Sequence, residues 1–365
     1  MDKAFALLEP HLRNGDQSCL LVADENLGAA PFNAIDATVE IISNRFDIAL
    51  TAQAAGLQAR FSDFDFSGYP SNHFVRVCYR LSKEKAVVEH VIGQATRILR
   101  VGGELVLCGA KNEGIRRFAK YAAQLLSGRQ DIRKTGSLYL AHITKHHDEP
   151  GIQPPADEYG HILPVEVDLA ALGLPPVQGR TRITLSSKAG MFGAGRIDAG
   201  SALLTRALPE FFAGFVQPPR SLLDLGCGCG YLGICASGFG MDRIVATDNC
   251  AAAIEICKIN AASLCLSMEV IADNCAQSIN ERFDALLCNP PFHQGFKVNS
   301  DLGERFLQAA ARRLKPEGRA LFVVNQFIAL EKLASRYFAN IDVTAPTPSF
   351  KLVALSKPRS ESYSG

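Results

Sequence analysis

The sequence predicts an α/β protein with two tandem, doubly wound and mostly parallel sheets, the first a degenerate copy of the second. Three observations carry this reading. In the second half, short apolar runs alternate with segments of helical spacing, the pattern of parallel strands joined by crossover helices. The chain has 365 residues, enough for two domains. Two stretches also recur: CLLVADENLGAA (19–30) parallels SLLDLGCGCGYLG (221–233), and RILRVGGELVLCGAK (97–111) parallels RRLKPEGRALFVVNQ (312–326). The first copy has lost the glycine cluster and carries Asp24, Glu25 and Asn26 there instead.

The boundary between the copies falls in 146–176, where Pro, acidic residues and turn formers gather. We therefore expect a first domain over 1–150, a linker over 151–180 and a second domain over 181–365. After the boundary come a strand, a Gly-rich turn and a helix beginning near Asp198. Residues 221–225 form an apolar strand, and a helix begins at Tyr231. A strand at 243–248 precedes a helix over 251–262, with Ile254, Cys257 and Ala261 on one side. Strands follow at 268–273 and 283–289, then a helix over 302–314. Pro316 and Gly318 make a turn, 319–325 is the next strand, and 350–356 is β-rich.

Composition excludes several classes. The chain is 47% hydrophobic, which is wrong for disorder. Its longest apolar runs, such as 320–324, are far too short to span a bilayer. The N-terminal stretch lacks the apolar core of a signal peptide, so a cytoplasmic protein is expected. Eleven cysteines include no CxxC pair, which reads as buried thiols and no metal site. Net charge is +1, so there is no global nucleic-acid signature. Locally, 97–134 carries nine basic and three acidic residues, among them Arg116 and Arg117. Such a stretch either tracks phosphates or is a solvated helix face.

The chemistry-bearing segments lie where three strands end. Gly226, Gly228 and Gly230 let the chain turn tightly after 221–225 and bring backbone N–H groups close to a ligand. The crevice at the carboxyl ends of such strands is where doubly wound sheets bind ligands. The spacing Gly228-x-Gly230-x-x-Gly233 also fits a nicotinamide dinucleotide site, or a plain tight turn. Asp248 ends the next strand twenty residues after Gly228, followed by Asn249. Its carboxylate suits two ribose hydroxyls, or the start of a helix. Asp273 and Asn274 end the third strand, where an adenine amino group or a turn would use them.

Asn289-Pro290-Pro291-Phe292 separates these readings, because a dehydrogenase has no role for it. The prolines fix φ and restrict their neighbours, so the segment is stiff and extended. The Asn289 side-chain oxygen and the Pro290 backbone oxygen can both accept from a planar –NH2 group. Phe292 supplies a stacking face for the ring that carries it, a contact worth about 1–3 kcal/mol. The chemistry this suits is alkylation of an amino group on an unsaturated ring, driven by positioning.

These residues resemble the class I S-adenosylmethionine-dependent methyltransferases that modify exocyclic amino groups. NPPFHQGF (289–296), GMFGAGRIDAG (190–200) and the duplication narrow the likeness to ribosomal RNA guanine-N2 methyltransferases, of the small-subunit methyltransferase C kind and its large-subunit relative. The resemblance is strong over 182–356 and weak over 1–150. It implies two tandem Rossmann-like methyltransferase domains, with S-adenosylmethionine bound by the second alone. It places Asp224, Gly226, Gly228, Asp248, Asp273 and Asn274 on the cofactor, with Phe192, Asp198 and Gly200 closing over it. Asn289, Pro290 and Phe292 would hold guanine. The first domain would serve stability or RNA recognition. The partner implied is ribosomal RNA, free or in a subunit or assembly intermediate, 16S ahead of 23S, and a monomer is expected. After Phe192 the family usually carries a serine, charged residues and Gly-Leu-Asp, where this chain has Gly193-Ala194-Gly195-Arg196-Ile197-Asp198, which implies a looser loop. His293 is either a base, a loop anchor or a phosphate contact. Other planar amines remain open as acceptors, in DNA adenine or cytosine or a protein glutamine, as does a noncatalytic RNA-binding duplicate.

Overall fold

The computed structural model describes residues 3–13, 18–27, 32–153, 156–191, 193–291, 293–294, 297–298 and 300–359, with only the backbone for 293–294, 297–298 and 300–301. The chain divides into two compact units, Met1–His161 and Ile162–Gly365.

The first unit runs α1 (Lys3–Leu8), β1 (Cys19–Ala23), β2 (Val39–Ser43), α2 (Phe46–Ala54), β3 (Gln58–Phe61), β4 (Phe74–Arg80), α3 (Lys85–Ile98), β5 (Leu99–Ala110), α4 (Ile115–Leu125), β6 (Gln130–Thr135) and β7 (Leu138–Thr144). Its seven-stranded sheet has the order β3-β2-β1-β4-β5-β7-β6. β1 to β5 pair in parallel, and β7 turns antiparallel between β5 and β6.

The second unit opens with an antiparallel pair, β8 (Ile162–Asp168) and β9 (Arg182–Lys188). Then come α5 (Ala199–Arg206), α6 (Leu208–Ala213), β10 (Ser221–Leu225), α7 (Tyr231–Ser237), β11 (Arg243–Asp248), α8 (Ala251–Ser263), β12 (Met268–Ala272) and β13 (Phe283–Cys288). The chain continues through β14 (His293–Gln294), β15 (Lys297–Val298), α9 (Ser300–Arg313), β16 (Leu314–Asn325), α10 (Leu330–Ala334), β17 (Phe338–Thr344) and β18 (Phe350–Pro358). Its sheet order, β12-β11-β10-β13-β16-β18-β17, repeats that of the first unit.

The order follows from burial on both faces. Alternate residues of β10 point to opposite sides of the sheet. Leu223 and Leu225 pack with Phe306 and Leu307 of α9, and Leu222 with Ile234 and Cys235 of α7. Each fully buried leucine of this kind contributes about 1.5–3 kcal/mol. The crossover helices carry all their chain ends to one edge, so β10, β11, β12 and β13 finish together where the site lies.

Two expectations are corrected. The segment 151–180 is not plain linker, because Ile162–Asp168 forms β8 and pairs with β9 over its whole length. Val165 and Val167 are buried while their neighbours face outwards, a strand alternation hidden behind the prolines. The turn at Pro316 and Gly318 lies inside β16. Phe283 pairs with Leu314 and Ala285 with Arg319, so the intervening residues bulge and Pro316 removes no ladder bond there.

The same bulge occurs in the first sheet, where Phe74 pairs with Leu99 and Arg76 with Glu104. Aligned on it, Arg80 takes the position of Asn289 and Leu81 that of Pro290. Continuing across the sheets, Leu21 stands where Asp224 does, and Ser43 where Asp248 does. The position in the first copy that corresponds to Asn289 is filled from within. The Arg80 guanidinium donates to Glu113 at 2.5 and 2.8 Å and to the Leu81 carbonyl at 3.0 Å. Both partners of this ion pair are buried.

Candidate active site

The glycine loop is fastened to the neighbouring strand before it reaches α7. Gly226 and Cys227 both donate N–H groups to the Thr247 carbonyl, at 2.8 and 2.9 Å. Gly226, Gly228 and Gly230 have φ of 76°, 55° and 85°, the left-handed region that glycine enters without penalty. A Cβ on Gly230 would lie 2.7 Å from Cys257 Sγ, so the turn also depends on close packing against α8. A Cβ on Gly228 would meet nothing within 4 Å among the described residues. That open side of the loop is where a ligand's approach to the backbone fits.

Three acids end the strands, and each is used differently. Asp224 is fully buried; its Oδ2 accepts from Gly233 N at 2.8 Å, while Oδ1 has no hydrogen-bond partner among the described residues. Burial, with a smaller contribution from nearby Asp248, pushes its carboxyl up to about 7. Asp248 is half-buried, with Oδ2 accepting from Gly228 N at 3.0 Å and Oδ1 from Cys250 N at 2.8 Å. It thus links the glycine loop to the start of α8, while Cys250 holds the cap position itself. Asp273 is turned into the chain that follows, accepting from Gln277 N at 2.7 Å, Ser278 N at 2.8 Å and the Ser278 hydroxyl. The turn thus orients the carboxylate expected to meet an adenine amino group. Asn249 and Asn274 sit half-buried beside these acids at the same edge.

Asn289 stands at the end of β13, followed by buried Pro290. Its Nδ2 donates to Asp198 Oδ2 at 2.9 Å and to Ser201 Oγ at 2.8 Å. Asp198 is the N-cap of α5 and accepts from Ser201 N at 3.0 Å with the same Oδ2. A carboxylate only accepts hydrogen bonds, so the amide nitrogen must face it and the amide oxygen must face away. Asp198, expected to close over the cofactor, thus directs this oxygen to Asn289. Gly200 supports the arrangement, since a Cβ there would lie 3.0 Å from Asp198 Oδ2 and 3.2 Å from the Phe350 ring.

The preceding loop is pinned rather than loose over its described part. Gly195 N donates to Ser187 Oγ at 3.1 Å, and Arg196 N to Gly193 O at 3.0 Å. Phe192 and Phe292 lie outside the described residues, and so does the side chain of His293; the His293 backbone pairs with Val298. Arg116 and Arg117 belong to α4 of the first unit. Their guanidinium groups lie over the rings of Tyr139 at 5.2 Å and Phe118 at 4.8 Å, and Arg117 also donates to Glu89 at 3.2 Å. The opposite face of α4 is buried through Ile115, Phe118 and Ala122, so the basic residues lie on its outer side.

Asn260 and Ser201 were missed by the sequence reading. Buried Asn260 accepts from Ser186 N at 2.6 Å and donates to the carbonyls of Ser186 and Cys229 at 2.9 and 2.8 Å. It ties β9, α8 and the glycine loop together. Its signal was an amide set into an otherwise apolar helix stripe. Among the described residues, no group of three or more His, Cys, Asp or Glu could hold a metal, and no helix is long and apolar enough to cross a membrane.

A doubly wound sheet of this strand order, with glycine loop and Asn-Pro-Pro at its carboxyl edge, defines the methyltransferase class. The chain matches the methyltransferase small domain over 182–354 and its N-terminal counterpart over 8–159. It is 30% identical over 305 residues to ribosomal RNA small subunit methyltransferase C of Pseudomonas aeruginosa strain UCBPP-PA14, covering 82% of this chain and 85% of the relative. The protein of the same name from Escherichia coli O9:H4 is 28% identical over 280 residues, or 75% of this chain and 73% of that one. The structure of the T. thermophilus 16S rRNA N2 methyltransferase RsmC, in complex with AdoMet and guanosine, aligns with a TM-score of 0.81 at 25% identity, over 98% of this chain and 92% of that one. The chain belongs to the family of ribosomal RNA small subunit methyltransferase C.

Proposed function

We propose that the protein methylates the exocyclic N2 amine of a guanine in ribosomal RNA, in the 16S rather than the 23S molecule, with S-adenosylmethionine as donor. The observation that carries this is the amide orientation of Asn289, whose Nδ2 is held by Asp198 and Ser201 so that Oδ1 remains to accept. When bound, S-adenosylmethionine supplies a methyl group on a positively charged sulfur, which a neutral nitrogen can attack. The residues present fit it. The open side of Gly228 admits a ligand to the backbone, and Asp248, half-buried beside that loop, would take the ribose hydroxyls.

Asn289 Oδ1 and Pro290 O accept the two hydrogens of the target amine. That pins the nitrogen and directs its lone pair, which is catalysis by positioning. The alkylated nitrogen is acidic enough to lose its proton to water, so a strong base is not needed. The guanine must be unpaired or flipped out to reach Asn289. The first unit, with Leu21, Ser43 and Arg80 at the corresponding positions, serves stability or RNA recognition and binds no cofactor.

Radiolabelled S-adenosylmethionine offered with small and large ribosomal subunits, their free RNAs, plasmid DNA and release factor tests the reading. N2-methylguanosine in 16S RNA supports it. Label in 23S RNA, DNA or protein keeps amine methylation and overturns the acceptor.

A further inference from the structure

We infer that Asp198 is a positioning residue for methyl transfer, setting which atom of the Asn289 amide meets the target amine. The inference rests on Asn289 being the amine acceptor and adds what makes it one. An amide left to itself presents nitrogen or oxygen with similar ease, because the two ends have nearly the same shape. With nitrogen towards the target, two donors would face each other and the nucleophile would not be held. Asp198 removes that choice. Its Oδ2 lies 2.9 Å from Asn289 Nδ2, and an amide oxygen at this distance from a carboxylate would place two acceptors together. Ser201 Oγ, 2.8 Å away, takes the second N–H. Both hydrogens of the amide nitrogen are thereby engaged, and the negative charge behind the amide strengthens Oδ1 as an acceptor.

The device is built into the start of α5. Asp198 caps that helix through Ser201 N with the oxygen that also holds Asn289. The cap fixes the carboxylate, and the carboxylate fixes the amide. The same geometry separates this role from a structural one. Glycine is tolerated at a helix N-cap, so Asp198→Gly keeps α5 while removing the acceptor, whereas an asparagine would leave its amide oxygen where Oδ2 now meets both donors.

Four variants test this in the full-length protein, with small ribosomal subunits as substrate and adenosylhomocysteine binding measured by calorimetry. Asp198→Gly should lower kcat by about tenfold or more while adenosylhomocysteine affinity changes by less than about twofold. Asn289→Asp should fall further, since two carboxylates would then meet. The double variant Asp198→Gly/Asn289→Asp should recover part of that second loss, because the carboxylate at 289 then faces no other and still accepts from the amine. Ser201→Ala, which leaves the cap intact, should lower kcat with unchanged affinity and serves if Asp198→Gly unfolds the protein.

Unchanged kcat in Asp198→Gly, or a double variant no better than Asn289→Asp, would overturn the inference. Weakened adenosylhomocysteine binding without loss of kcat would return Asp198 to the cofactor. The underlying reading fails differently: Asn289→Ala would retain normal turnover, whatever Asp198→Gly does.

Discussion

Arg80 occupies in the first sheet the register position that Asn289 holds in the second. One accepts from a target amine in the proposed reaction. The other brings its own planar N–H groups to the same place and donates to the carbonyl of the following residue. The retired copy is thus closed by a side chain that mimics the hydrogen bonding of a substrate.

Removing that plug should cost stability and open no second site. Arg80→Met leaves Glu113 buried without its partner, a loss of about 3–5 kcal/mol in urea unfolding. Arg80→Met/Glu113→Leu should recover much of it. Calorimetry with adenosylhomocysteine should give a single site per chain in both variants and in the parent, because Leu21 and Ser43 replace the acids.

Asn289→Ala should bind adenosylhomocysteine as the parent does and lose turnover by about a hundredfold or more, as expected when a positioning group is removed. Single-turnover assays with labelled donor would separate this from slow product release.

Asp248→Ala should weaken adenosylhomocysteine binding about tenfold or more and also lower the melting temperature of the free protein. The second effect follows because the carboxylate links Gly228 N with Cys250 N, and each hydrogen bond contributes about 0.5–1.5 kcal/mol. Unchanged affinity in calorimetry would contradict the ribose role.

Buried Asp224 gives the free protein a pH-dependent stability. Its folded-state pKa is raised from 3.8 to about 7, so the folded protein holds a proton that the unfolded chain releases. That stabilisation is complete below the unfolded value and is lost as pH rises through the folded one. Melting temperature should therefore fall between those values by more in the parent than in Asp224→Asn. Asp24, buried in the first unit and also raised to about 7, keeps part of the slope in that variant. Parallel melting curves for parent and variant across the interval would exclude the assignment.

Charge reversal at Arg116 and Arg117 should weaken binding to ribosomal RNA and flatten its salt dependence. The buried face of α4, through Ile115, Ala119 and Ala122, should keep the helix folded, which far-ultraviolet circular dichroism would confirm. An unchanged slope of affinity against salt would leave α4 as a solvated face.

Much of this protein is local in origin. The order of strands and helices, the left-handed glycines after β10, the acids that end the strands and the stiff Asn-Pro-Pro segment follow from apolar period and from the restrictions of Gly and Pro. These act within a few residues, so the sequence alone determines them. β8 escaped that reading because its alternation lies among prolines and acids that also signal a linker. Pairings between distant elements are of another kind. Asn289 meets Asp198 across 91 residues, Asn260 meets Ser186 across 74, and Arg80 meets Glu113 across 33. Side chains that share an element's face can turn to any of several neighbours. Strand register and helix packing choose among them, so only the tertiary structure decided that Asp198 faces the amide of Asn289 and Asp273 its own turn.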